Sequence, residues 1–165
     1  MHDLRLIENF KIFVGGPSRC GKTFFVVDFI QNLKSISKIP PTNIIYVYKV
    51  WQPKYDEIRK LITVFIQEQE DLLEKIKEHL SDQPSLIVFD DLINSKSLKN
   101  IAQLFVVDGR HLNMSLIFLS QRLFVNDEYL QFNLFGWNKL WRIFGSTWPV
   151  NLIIPLSTFP PLGSN

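Results

Sequence analysis

The chain predicts a three-layer α/β fold built on a mostly parallel sheet, and three observations lead there. Gly16-Pro17-Ser18-Arg19-Cys20-Gly21-Lys22-Thr23 fits the pattern G-x-x-x-x-G-K-[ST] at every fixed position. The motif sits between a β-branched and aromatic run, Phe10 to Val14, and a stretch from Thr23 to Leu33 free of Gly and Pro, giving the order strand, loop, helix. Farther on, Ser85-Leu86-Ile87-Val88-Phe89 is apolar at nearly every position and closes on Asp90-Asp91. A run of this kind reads as a strand covered on both faces, as strands of parallel sheets are.

The loop is the most informative of these. Glycines let the backbone turn with its N–H groups inward, forming a nest for phosphate oxygens that the following helix N-terminus reinforces. Pro17, Ser18, Arg19 and Cys20 would line that nest between Gly16 and Gly21. Lys22 would reach the β- and γ-phosphates of a nucleoside triphosphate such as ATP, and the Thr23 hydroxyl would ligate Mg²⁺.

After the first helix, Ser35 to Thr42 carries Pro40-Pro41 and reads as a loop, and Asn43 to Tyr48 as a second strand. Trp51 to Lys60 reads as a short helix after Pro53, and Leu61 to Ile66 as a further strand. Glu68 to Leu80 has Leu72, Leu73, Ile76 and Leu80 on one stripe, with acids early and Lys75, Lys77 and His79 late, which suits the helix dipole. His79 lies in that polar tail without ligand-like neighbours and reads as a surface residue.

The Asp90-Asp91 strand would end at the sheet edge where open α/β folds bind ligands. There Asp90 would hold the loop's Mg²⁺ through water, and Asp91 would position or deprotonate an attacking water. Outside this context, paired acids after a strand are often a turn or a helix cap. Ser97 to Val107 reads as a helix and Asp108 to Asn113 as a polar turn. Ser115 to Leu119 reads as another buried strand, ending at Ser120-Gln121, from which Gln121 could reach a γ-phosphate or simply bond at the strand end.

Composition sets bounds on these readings. A chain of 165 residues with 46% hydrophobic content suits one core of ordinary size. A formal charge of +2 with pI near 8.7 is too mild to point to a nucleic-acid partner by itself. The single cysteine, Cys20, excludes an internal disulfide and suits a reducing compartment. The first residues lack the apolar core of a secretory signal, so an intracellular protein is expected.

Taken together, GPSRCGKT, the LIVFDD strand and the segment DGRHLNMSLIFLSQRLF resemble the HerA/FtsK superfamily of P-loop ATPases. Within it they are most similar to the viral genome-packaging ATPases of poxvirus-like and Polinton-like elements. The resemblance spans about Phe10 to Phe124. It implies a sheet of order 5-1-4-3-2, with an extra strand between the phosphate-loop strand and the one bearing the paired acids. It implies ATP and Mg²⁺, a homo-oligomeric ring, double-stranded DNA pumped into a capsid, and a capsid or portal protein as partner. In such proteins the second acid, here Asp91, prepares the water, and the strand-end glutamine, here Gln121, senses the γ-phosphate. An arginine near the start of the same strand reaches the neighbouring subunit's site. Arg110 matches it best, with Arg122 as the alternative. The setting would be an infected cell or virus factory, with association to the virion and no membrane.

Two departures from that pattern stand out. Many relatives have Glu where Asp91 stands. From about Asn126 the chain also departs, having no acid after Glu128, no charge from Ile143 to Asn165, and a cluster of Trp137, Trp141 and Trp148. The expected organisation is an ATPase core over 1–125 and a divergent segment over 126–165. That segment would be a capping element, a partner-docking surface, or the product of an altered reading frame. Asn151 to Ile154 would supply the last strand if the segment caps the sheet. Prolines at 149, 155, 160 and 161 argue against a membrane span. Two rivals to the packaging reading stay open: a small P-loop kinase, and a truncated copy that binds nucleotide without hydrolysing it.

Overall fold

Successive side chains of a strand face opposite sides of the sheet, so a strand that is apolar throughout must be covered on both. In the computed structural model, which describes residues 5–6, 9–15, 17–92, 113–121 and 151–155, every residue of Ser85–Asp90 is buried. Leu86 and Val88 belong to one core with Val26, Ile30 and Tyr46. Ile87 and Phe89 belong to another with Leu72 and Ile76. Met114–Ser120 is divided in the same way, Ile117 and Leu119 joining the first core and Leu116 and Phe118 the second. Helices on either side of one sheet thus make the three expected layers.

In chain order the elements are β1 (Lys11–Gly15), α1 (Lys22–Gln31), α2 (Leu33–Ile36), β2 (Asn43–Tyr48), α3 (Tyr55–Ile58), β3 (Val64–Gln67), α4 (Leu72–His79), β4 (Ser85–Asp90), β5 (Met114–Ser120) and β6 (Asn151–Pro155). The sheet runs β3-β2-β4-β5-β1-β6, with every neighbouring pair parallel. Counting β1, β2, β4, β5 and β6 as core strands one to five gives the order 5-1-4-3-2 implied by the resemblance. The strand between β1 and β4 is β5, and β3 is added outside β2.

Several boundaries differ from the sequence reading, each for a local reason. The stretch from Ser35 begins helical rather than as a loop, because the amides of Ser35 and Ile36 both bond to the Asn32 carbonyl, at 2.9 and 3.2 Å. The helix expected over Trp51 to Lys60 contracts to α3, which starts only after the turn containing Pro53. The helix expected from Glu68 starts at Leu72, with Asp71 at its N-cap position and the Lys75 amide bonded to the Asp71 carbonyl at 3.1 Å. The apolar stripe survives: Leu72 and Ile76 are fully buried, while Leu73 and Leu80 pack at the margin of the same core. His79 is exposed, as expected.

β6 pairs with β1 from Lys11↔Asn151 to Gly15↔Pro155. It is the last strand in the order of the described sheet, and edge strands are where proline is tolerated. The helix expected over Ser97 to Val107, the turn up to residue 112 and the rest of the C-terminal segment lie outside the described residues.

Candidate functional site

Parallel strands share a direction, so their C-terminal ends gather at one edge of the sheet. The loop after β1, Asp90 and Asp91 at the end of β4, and Gln121 just past β5 all emerge there. Gly21 occupies the N-cap position of α1 with φ +93°, and a Cβ built on it would meet nothing within 4 Å. Glycine is therefore demanded by backbone conformation and not by crowding. The Phe25 amide bonds to the Gly21 carbonyl at 2.9 Å, so the first helical turn rises directly from the loop. The first amides of a helix lie ahead of its ladder of bonds, which suits a helix N-terminus to an anion.

Within the loop, Lys22 is buried, and its ammonium donates to the Pro17 carbonyl at 2.8 Å and lies 3.8 Å from the Cys20 sulfur. Thr23, half-buried, is the second residue of α1. Arg19 takes a left-handed conformation, φ 65°, on the exposed rim. Gly16 falls outside the described residues.

A chain of side-chain bonds ties this loop to the two neighbouring strand ends. The Ser18 hydroxyl donates to Gln121 Oε1 at 2.8 Å, and Gln121 Nε2 donates to Asp91 Oδ2. The Asp91 amide donates to the Leu119 carbonyl of β5 at 3.2 Å, and Asp91 itself has φ 61°, a left-handed turn that aspartate tolerates better than most residues. That turn ends β4 and leaves the Asp91 carboxylate half-buried beside Gln121, while Asp90 stays inside.

Asp90 is only 5% exposed. Both the Tyr46 hydroxyl, from β2, and the Tyr55 hydroxyl, from α3, donate to its Oδ2 at 2.8 Å. Burial raises the affinity of this carboxyl for a proton above that of an ordinary aspartate. The two phenol bonds oppose the rise, the Asp91 charge adds to it and the Lys22 ammonium opposes it. Burial first, and then the Asp90 charge, push both phenols far above their ordinary range, so each remains a neutral donor. Neither tyrosine stands out from the sequence as a site residue. The available signal is that a tyrosine inside a buried strand, such as Tyr46, needs a partner for its hydroxyl.

Among the described residues no cluster of His, Cys, Asp and Glu is able to hold a metal ion unaided. A hydroxyl at Thr23 and a carboxylate at Asp90 are hard oxygen donors. They fit Mg²⁺ that is shared with substrate phosphates and waters rather than caged by protein. The sequence-predicted residues Ser18, Lys22, Thr23, Asp90, Asp91 and Gln121 thus share one sheet edge. Arg110 and Arg122 lie outside the described residues.

Residues 2–128 match the family model described as Poxvirus A32 protein. No curated protein sequence matches the chain significantly. Among solved structures, B204, the DNA-packaging ATPase from Sulfolobus Turreted Icosahedral Virus, matches with TM-score 0.50 and 18% identity, over 70% of this chain and 67% of that one. The genome packaging NTPase B204 from Sulfolobus turreted icosahedral virus 2, in complex with AMPPCP, matches with TM-score 0.55 and 16% identity, over 76% and 71%. The cytoplasmic domain of EssC matches with TM-score 0.57 and 11% identity, covering 88% of this chain but 31% of that one. At such identities these likenesses are of fold. The family match extends over well more than half of the chain, from ahead of the phosphate loop to beyond Gln121, and on that ground the chain belongs to the poxvirus A32 protein family.

Proposed function

We propose that this chain is the ATP-hydrolysing subunit of a motor that translocates double-stranded DNA into a viral capsid. The observation that carries the reading is the bonded series Ser18, Gln121, Asp91, which joins the phosphate loop to the two strand ends beside it. Membership of the poxvirus A32 protein family, and the shared fold of a DNA-packaging ATPase and of an NTPase holding an ATP analogue, support it.

In this reading the loop amides and Lys22 receive the β- and γ-phosphates, the ammonium exchanging the Pro17 carbonyl for phosphate oxygens. Thr23 and Asp90 would hold Mg²⁺, which supplies positive charge for the phosphates. Asp91 orients the attacking water and draws off its proton. Gln121 already bonds both Ser18 and Asp91, so a γ-phosphate entering between the loop and the strand ends must displace or share those bonds. The glutamine would thereby register the presence and loss of that phosphate. An arginine supplied by a neighbouring subunit, Arg110 or else Arg122, would complete the site, which requires a homo-oligomeric ring. Ring assembly, DNA and the capsid or portal protein are the proposed partners, acting in an infected cell. No helix among the described residues is long and apolar enough to cross a membrane. The segment over 126–165 is read as an extension of the 1–125 core that lays β6 along β1.

The direct test is phosphate release by purified protein given ATP, Mg²⁺ and double-stranded DNA. Release is expected to be lost in Lys22→Ala. Release that survives the substitution overturns the site assignment, and transfer of phosphate to a small acceptor in place of release would mean a kinase.

A further inference from the structure

The phosphate loop and the paired acids leave one feature of the site unexplained. Two phenols from different elements, one on β2 and one on α3, converge on the same oxygen of Asp90. Each is deeply placed, Tyr46 fully buried and Tyr55 1% exposed. Their rings pack on one another with centroids 5.0 Å apart and on Phe65 of β3, at 5.5 Å from Tyr46 and 6.0 Å from Tyr55. The hydroxyls therefore have little freedom to leave the carboxylate, and the carboxylate has little freedom to rotate.

We infer that Tyr46 and Tyr55 are positioning residues that clamp Oδ2 of Asp90, so that its other oxygen is presented to the Mg²⁺ of the bound nucleotide in one orientation. The inference rests on the nucleotide reading above and deepens it. A buried carboxylate with both oxygens unconstrained would sample several rotamers. Two donors on Oδ2 remove that choice before the cation arrives. Hydrogen bonds to a metal ligand from such outer partners typically alter metal affinity about 10- to 100-fold. A helix as short as α3 is unstable alone, and its buried Tyr55 and Ile58 anchor it in the same core as Tyr46.

The experiment measures binding of a fluorescent ATP analogue to the full chain, with Mg²⁺ varied and with EDTA, in wild type, Tyr46→Phe, Tyr55→Phe and Tyr48→Phe. Phenylalanine keeps the ring packing and removes only the hydroxyl. Tyr48 shares the same aromatic cluster but does not bond Asp90, so it controls for removing a hydroxyl from that cluster. The expected result is a roughly 10- to 100-fold rise in the Mg²⁺ needed for half-maximal binding in Tyr46→Phe and Tyr55→Phe. Affinity in EDTA should stay unchanged in both, and Tyr48→Phe should resemble wild type. Unchanged affinity in EDTA also certifies that a variant is folded. Should one of the two fail that check, the other carries the test. Wild-type Mg²⁺ dependence in both variants would overturn the clamp while leaving the nucleotide site standing. No Mg²⁺-dependent binding in wild type would instead overturn the nucleotide reading itself.

Discussion

Asp90→Asn should make the nucleotide-free protein more stable while removing its response to Mg²⁺. The wild-type side chain is 5% exposed and burial is the largest influence on it, so its ionised form is held in the fold at a cost. Asparagine keeps the shape and a carbonyl oxygen able to accept both phenol bonds, but carries no charge. Relief of desolvation, and of repulsion from Asp91, opposes the weakening of two charge-assisted bonds and the loss of attraction to Lys22. Burial is the largest of these influences, so the balance is a gain, of about 1 to 2 kcal/mol, the usual size of a single-site effect. For a chain of this size that is a rise of about 2 to 8 °C in midpoint. Because the folded state holds the Asp90 proton more tightly than the unfolded state, wild-type stability from this group falls as pH rises from the ordinary aspartate range through the raised folded value. The advantage of asparagine should therefore grow as pH rises through the raised folded value and vanish in acid, where both side chains are neutral. Thermal denaturation followed by circular dichroism, from pH 4 to 8 and with or without Mg²⁺-ATP, reads all of this. A lower midpoint for the variant at neutral pH, or an advantage that does not change with pH, would refute the account of Asp90 as a costly buried charge.

Two further outcomes follow from the loop and the strand ends. Gly21→Ala meets no steric obstacle but must hold φ near +93°, so it should cost about 1 to 2 kcal/mol in thermal or urea denaturation, and a larger loss would reveal crowding that the geometry denies. Gln121→Ala removes an exposed bridge, so stability should stay within about 0.5 kcal/mol. Phosphate release, measured against binding of the fluorescent analogue, should fall about 100-fold with affinity little altered, the pattern of a group that acts mainly on the transition state.

What could be read along the chain was whatever short-range chemistry encodes. GPSRCGKT matches a phosphate-binding pattern within eight consecutive residues, and Ser85–Asp90 announces burial on both faces by being apolar at successive positions. The amphipathic period of Leu72, Ile76 and Leu80 identified α4, although its start awaited the turn at Asp71. The strand order came from the resemblance and not from periodicity, since a parallel strand's neighbours are chosen by crossovers that leave no local trace.

Tertiary structure alone decided which distant groups share one carboxylate. Tyr46 and Tyr55 lie 44 and 35 residues before Asp90, and Ser18 lies 103 residues before Gln121. A tyrosine in a strand reads as a β-former whatever its hydroxyl touches, and Tyr55 reads as part of an unremarkable short helix. Likewise Asn151–Pro155 is apolar enough for a strand, yet only pairing with β1 made it the sheet edge. Motifs are legible because their function lies in backbone conformation over adjacent residues. The clamp on Asp90 was not, because it exists only where three separate elements are folded against one another.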